Sequence, residues 1–90
     1  MQPVKKTIKV QLEQSDDSET FPALLSVGNM ETFLKNLLDF VGIPSEGKPV
    51  ILIVNKFRIL DCDLLDCDPT YIVTKKVKTS SIKVYLDPIG

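Results

Sequence analysis

Hydrophobic and polar positions along this chain keep one period at a time, and the period changes as the chain proceeds. From Lys6 to Glu13 they alternate, with Ile8, Val10 and Leu12 on one side and Lys9, Gln11 and Glu13 on the other. That is the pattern of a half-buried strand. The polar run SDDSE at 15–19 reads as a turn, and TFPALLSV at 20–27 reads as a second strand folding back in a hairpin. Pro22 places that strand at a sheet edge or gives it an irregular entry, since proline has no N–H for a ladder. Met30, Phe33, Leu34, Leu37, Leu38 and Val41 then fall three and four apart, the stripe of an amphipathic helix. Asn29 is placed to cap its start, Glu31 suits its first turn, Gly42 closes it in the left-handed conformation, and Pro44 blocks continuation.

Beyond the helix the strand signal returns. VILIV at 50–54 is apolar at every position, which predicts a central strand covered on both faces. KFRIL at 56–60 puts Phe57 and Ile59 on one side of a short further strand. DCDLLDCDP at 61–69 reads as a loop or one helical turn anchored by Leu64 and Leu65. TYIVTKKV at 70–77 is strand-like in propensity, a packed irregular connection being the alternative. In SSIKVYL at 80–86, Ile82, Val84 and Leu86 alternate with Lys83 and Tyr85, and residues 87–90 are expected as a short C-terminal tail stiffened by Pro88. One helix has one stripe to bury, and a sheet supplies the matching face. The prediction is α+β: a β-grasp with a mixed four- to five-stranded sheet packed on one helix, Asn29–Val41, forming a single domain over 1–90. The second strand, helix and third strand should make a crossover with parallel ends. A ferredoxin-like sandwich would need a second full-length helix, and DCDLLDCD makes a poor one.

Composition removes most other classes. The chain has 90 residues, no histidine and a net charge of −1. Without histidine the usual general base and the Ser-His and Cys-His pairs are gone, so no enzyme activity and no cofactor are expected. The balanced charge gives no global field for nucleic acid. No apolar run is long enough for a membrane span, so no membrane association of its own is expected, and the chain should be a monomer. The opening MQPVKKTIKV does not read as a secretory signal, so Cys62 and Cys67 are expected as reduced thiols in a cytoplasmic or nuclear protein. Asp61, Asp63, Asp66 and Asp68 flank those cysteines, yet the loop lacks the glycine and distal glutamate of a calcium loop and the further ligands zinc needs. No metal is expected there, and the carboxylates should hold the thiols protonated.

The hairpin, the helix leading into VGIPSEGKP, the VILIV strand and the final IKVYL strand together resemble ubiquitin-like proteins. The passage ALLSVGNMETFLKNLL is similar to the ubiquitin-fold modifier family, and KKTIKVQL with LIVN is similar to the autophagy modifier family. Both end on a single glycine, as DPIG does here, although the autophagy family carries an aromatic residue where this chain has Ile89. The resemblance implies a protein modifier whose Gly90 carboxylate is the acyl donor, adenylated and passed on by activating and conjugating enzymes, or one docked on a protein receptor. Glycine suits a narrow channel because it has no Cβ. The alternative is a non-conjugated ubiquitin-like adaptor domain of a larger protein that acts by protein–protein binding. The resemblance also implies recognition through the sheet, with Phe57, Ile59, Val73 and Tyr85 as partner-binding candidates. If first and last strands are neighbours, Lys5, Lys6, Lys9, Lys75, Lys76, Lys78 and Lys83 converge. They form either the wet face of the sheet or, with Lys75 and Lys76 foremost, a docking patch for an acidic partner.

Overall fold

The computed structural model describes residues 6–13 and 23–89; the turn expected at 15–19, Pro22, Lys5 and Gly90 lie outside them. In chain order come β1 (Lys6–Leu12), β2 (Ala23–Val27), α1 (Met30–Val41), β3 (Val50–Val54) and β4 (Phe57–Ile59). A 3-10 turn (Cys62–Leu64), β5 (Thr70–Val77) and β6 (Ile82–Ile89) follow. The architecture is α+β, with α1 packed on a mixed six-stranded sheet of order β2-β1-β5-β6-β3-β4. The expected four or five strands are thus corrected to six, because TYIVTKKV is a full ladder strand and β6 is a separate one beside it.

Strand directions follow from the pairings. β1 is antiparallel to β2 and parallel to β5, β5 is antiparallel to β6, β6 is parallel to β3, and β3 is antiparallel to β4. β2 and β3 therefore run the same way on either side of α1, as a helical crossover requires. The first and last strands are not neighbours, since β5 separates them. A two-residue turn, Asn55 and Lys56 with φ of 51° and 72°, joins β3 to β4. Positive φ at both central residues matches the right-handed twist of a hairpin.

The helix ends where its sequence says it should. The Thr32 N–H donates to Asn29 Oδ1 at 2.8 Å, satisfying one of the free first-turn donors. At the other end Gly42 takes φ 76°. Its N–H donates to the Asp39 carbonyl and the Ile43 N–H to the Leu38 carbonyl, at 3.2 and 3.0 Å. This reciprocal pair is a Schellman closure, and it needs the left-handed residue that glycine adopts without a Cβ penalty.

Phe33, Leu37 and Leu38 of α1 enter one buried cluster with Ile8, Val10, Val27, Leu52, Tyr71, Val73, Ile82, Val84 and Leu86. Cys62 and Leu65 belong to the same cluster, whereas Leu64 is 74% exposed. The predicted anchor pair Leu64–Leu65 is corrected to Cys62–Leu65. In a turn of three residues per revolution, Cys62 and Leu65 fall on one side and Leu64 falls off it. The loop is fixed further by the Asp66 N–H donating to Tyr71 Oη at 3.1 Å and by Lys6 Nζ donating to the Asp63 carbonyl at 2.9 Å.

β6 does not stop at Leu86. Asp87, Pro88 and Ile89 register against Ile72, Tyr71 and Thr70 of β5, so the segment expected as a tail is ladder as far as Ile89. Proline is tolerated there for a local reason. The Ile82 N–H donates to the Pro49 carbonyl and the Asn55 N–H donates to the Leu86 carbonyl, so even-numbered residues of β6 direct their backbone groups toward β3. The last β3–β6 pair is Val54 with Leu86. Pro88 therefore lies on a side where β3 has already turned away, and its missing N–H leaves no ladder bond unmade.

Candidate functional site: the uncovered face of the sheet

Alternation along each strand sends successive side chains to opposite faces. One face is the core just described, and both α1 and the 3-10 turn belong to it. The opposite face presents Thr7, Lys9 and Gln11 from β1, Leu24 and Ser26 from β2, and Thr70, Ile72, Thr74 and Lys76 from β5. β6 adds Lys83, Tyr85, Asp87 and Ile89, β3 adds Ile51 and Ile53, and β4 adds Arg58. No helix among the described residues lies over it.

The chemistry of this face is uneven. One row runs Thr74, Tyr85, Ile53, Arg58 and the next runs Lys76, Lys83, Ile51. Ile51, Ile53, Ile72 and Tyr85 are each half-buried, so they offer apolar surface without projecting far. Leu24 is 68% and Ile89 46% exposed at the far end. Lys9, Lys76, Lys83 and Arg58 are the cations of the face and Asp87 its carboxylate, in a chain that is acidic overall at −1. The unalternating VILIV segment is explained here. Leu52 is buried beneath α1, while Ile51 and Ile53 face outward. The expectation of cover on both sides is corrected: the run is apolar twice over because one side faces the core and the other faces an exposed sheet surface.

The expected partner-binding residues divide between the faces. Tyr85 and Lys76 lie on the uncovered face. Val73 is 2% exposed and belongs to the core, so it offers nothing to a partner. Ile59 packs against the core from β4. Phe57 pairs with Val54 on the helix side of the sheet and is 72% exposed at its end. Lys75 also lies on the helix side, its Nζ donating to the Val41 carbonyl at 3.5 Å, where a cation suits the helix C-terminus. Of the expected lysine cluster, Lys9, Lys76 and Lys83 share the uncovered face, while Lys6 and Lys75 do not. Sequence reasoning missed Ile51, Ile53, Ile72, Lys83 and Arg58 as members of one surface, because a face is assembled only once the strand order is known.

Set against family models, curated proteins and solved structures, the chain matches none.

The acidic–cysteine loop is tied into the fold. Asp61, Cys62 and Asp63 bring their ligand-type atoms within 4.8 Å of one another. Two of these groups are otherwise engaged: Asp61 Oδ1 accepts from the Asp63 N–H at 3.0 Å, and the Cys62 thiol donates to the Gly28 carbonyl at 3.7 Å. Burial pushes the Cys62 thiol above its ordinary pKa and Asp63 adds to that; a backbone hydrogen bond opposes the rise in part, with Asp61 and Lys6 acting more weakly in opposite directions. Burial likewise raises Tyr71. A group whose folded pKa is raised holds its proton more tightly when folded. Its contribution is complete below the unfolded pKa and is lost as pH rises through the folded one. Stability should therefore be flat near neutrality and decline from about pH 8.5 upward, the region where an unfolded cysteine begins to ionise. Cys62→Ser should remove the earliest part of that decline in urea-unfolding midpoints. In the same samples iodoacetamide at neutral pH should label exposed Cys67 and spare Cys62 until denaturant is added. Rapid labelling of both thiols in the native protein would contradict the burial of Cys62.

Proposed function

We propose that this chain is a protein-docking module of ubiquitin-like, β-grasp type that binds its partner noncovalently across the uncovered face of its sheet. The β-grasp reading is supported by the antiparallel β1–β2 hairpin, the helical crossover into β3 and the parallel pairing of β1 with β5. On this reading β6, inserted between β5 and β3, is an addition to the usual five-stranded plan. The observation that carries the function is the surface itself. Ile51, Ile53, Ile72 and Tyr85 are contiguous apolar groups bordered by Lys76, Lys83 and Arg58, the arrangement of apolar anchors within a polar rim that protein interfaces use. A catalytic reading has no comparable support, since the chain has no histidine and the raised thiol of Cys62 disfavours the nucleophilic thiolate.

Noncovalent docking is preferred to transfer of the Gly90 carboxylate because the backbone through Ile89 is committed to β5. Offering residues 87–89 as an extended tail to an activating enzyme would require peeling that end of β6 away from β5. The two modes separate cleanly in one experiment. A photo-crosslinking phenylalanine at position 85 should give light-dependent adducts with cellular proteins, whereas the same group at Asp39 on α1 should give far fewer. Ile53→Asp should suppress the adducts, and deletion of Gly90 should leave them intact. Adducts that form in the dark and vanish with Gly90 would replace this reading with conjugation. Equal labelling from positions 85 and 39 would remove the sheet face from consideration.

A further inference from the structure

Resting on that docking reading, we infer that the partner element is an acidic amphipathic α-helix of another protein, laid across β5, β6, β3 and β4 with its carboxylates against Lys76, Lys83 and Arg58. The first observation is a cross-strand clash of charge. Lys76 and Lys83 are directly opposed in the β5–β6 register, which places Cβ atoms about 5 Å apart. Like charges so placed destabilise a sheet. The strand residues beside them on this face are Thr74, Tyr85 and Ile51, so no neighbouring strand residue is a carboxylate. A partner carboxylate between the two ammonium groups would turn a local cost into a binding contribution. The second observation is the sign of the whole face, net cationic on a chain whose overall charge is close to balanced at −1. That disfavours a second copy packing face to face, because the same cations would meet.

Shape selects the helix. Every backbone group in the middle of this sheet is turned within its plane into ladders, so a partner can meet the face only through side chains. A helix satisfies its own backbone and presents an apolar stripe beside a charged one. Four strands spaced about 4.8 Å apart cover roughly 14 Å, enough to seat a helix about 10–12 Å across. Ile51, Ile53 and Tyr85 would take the stripe, with the cations on its flanks. A nucleic acid strand fits less well, since it would need successive aromatic platforms and Tyr85 is the sole aromatic among the described residues of this face.

The test uses three designed helical peptides of one length and one leucine stripe, their remaining positions glutamate, glutamine or lysine, titrated into the isotopically labelled chain. The glutamate peptide should bind at 50 mM salt with amide shifts centred on Ile51, Ile53, Lys76, Lys83 and Tyr85, and should weaken at 300 mM salt. It should bind roughly tenfold tighter than the glutamine peptide, as expected for a few partly screened charge pairs. Lys76→Glu with Lys83→Glu should reverse the preference toward the lysine peptide. Lys35→Glu with Lys48→Glu, the same change of net charge placed on the helix side, should not. Equal binding of the glutamate and glutamine peptides on this face would overturn the acidic partner while leaving the docking face standing. Shifts confined to other surfaces, or none with any peptide, would overturn both. Concentration-dependent shifts on the face without peptide would replace the foreign helix with a second copy.

Discussion

Phe33→Ala should cost about 3–5 kcal/mol, between roughly a quarter and all of the folding stability of this chain. Phe33 is fully buried in the cluster that α1 shares with the sheet, with Leu37 one turn further on. Truncating a buried phenylalanine costs about 3–5 kcal/mol, the lost transfer energy plus the cavity left behind. A 90-residue domain has only about 5–13 kcal/mol in total, at the usual 0.05–0.15 kcal/mol per residue. The helix cannot make up the difference from within: twelve residues are too few for stability in isolation, and their helicity depends on burial of the stripe. Phe33→Leu, which keeps most of the volume, should cost under about 2 kcal/mol and remain cooperative. Urea unfolding followed by far-UV circular dichroism measures both. A loss below about 1 kcal/mol for the alanine variant, a size more usual for surface substitutions, would mean that α1 does not sit on this sheet.

How much was legible follows from the range of each signal. α1 was readable to within one residue, with Asn29 its cap and Met30 its first helical residue, because its stripe, its Asn29 cap and its Gly42 closure are all local. β1, β4 and the first part of β6 were readable from alternation for the same reason. Strand order was not, because nothing local to TYIVTKKV says that it pairs with β1 on one side and with β6 on the other. The crossover rule placed β2 parallel to β3, yet it left open how many strands would stand between them. The 3-10 turn was half legible. Acidic residues marked it as surface, but the choice of Cys62 over Leu64 as the buried group depends on a period of three that a three-residue turn barely registers.

The outward apolar face of β3 is hidden in a signal that has two readings. An apolar run without alternation says that both sides of a strand are apolar, and in β3 both are. It does not say what covers the second side. The usual answer is a second helix layer, and the described chain has one helix for six strands. Ile51 and Ile53 are thus the clue to a surface that no described helix covers, and Tyr85 and Lys76 lie on the same face. Val73, expected there with them, has the opposite parity along β5 and is buried for that reason. One position of shift exchanges core for surface.

Parity also sorts the residues of β6 between its two neighbouring strands, and proline substitutions test that sorting. Val84→Pro should abolish cooperative folding, while the native Pro88 should be replaceable by alanine at a cost of under about 1 kcal/mol, chiefly through greater freedom of the unfolded chain. Both positions are even-numbered, so both direct their backbone toward β3. At Val84 β3 is present, with Leu52 as its register partner. Proline there removes a ladder donor in a strand flanked on both sides and sets its ring into a fully buried position, for about 3 kcal/mol or more by analogy with proline in a helix interior, plus the lost packing of Val84. At Pro88 the ladder with β3 has ended at Leu86 and only β5 remains, reached through the odd-numbered residues. Had residues 87–89 been a free tail, Pro88→Ala would be neutral, and so would a break in the ladder introduced at Asp87, whose N–H faces β5. Asp87→Pro is therefore the deciding variant: ladder to Ile89 predicts that it loses a bond to Ile72 and lowers the urea midpoint measurably. An unchanged midpoint would free the end of β6 and restore Gly90 transfer as the better reading of this chain.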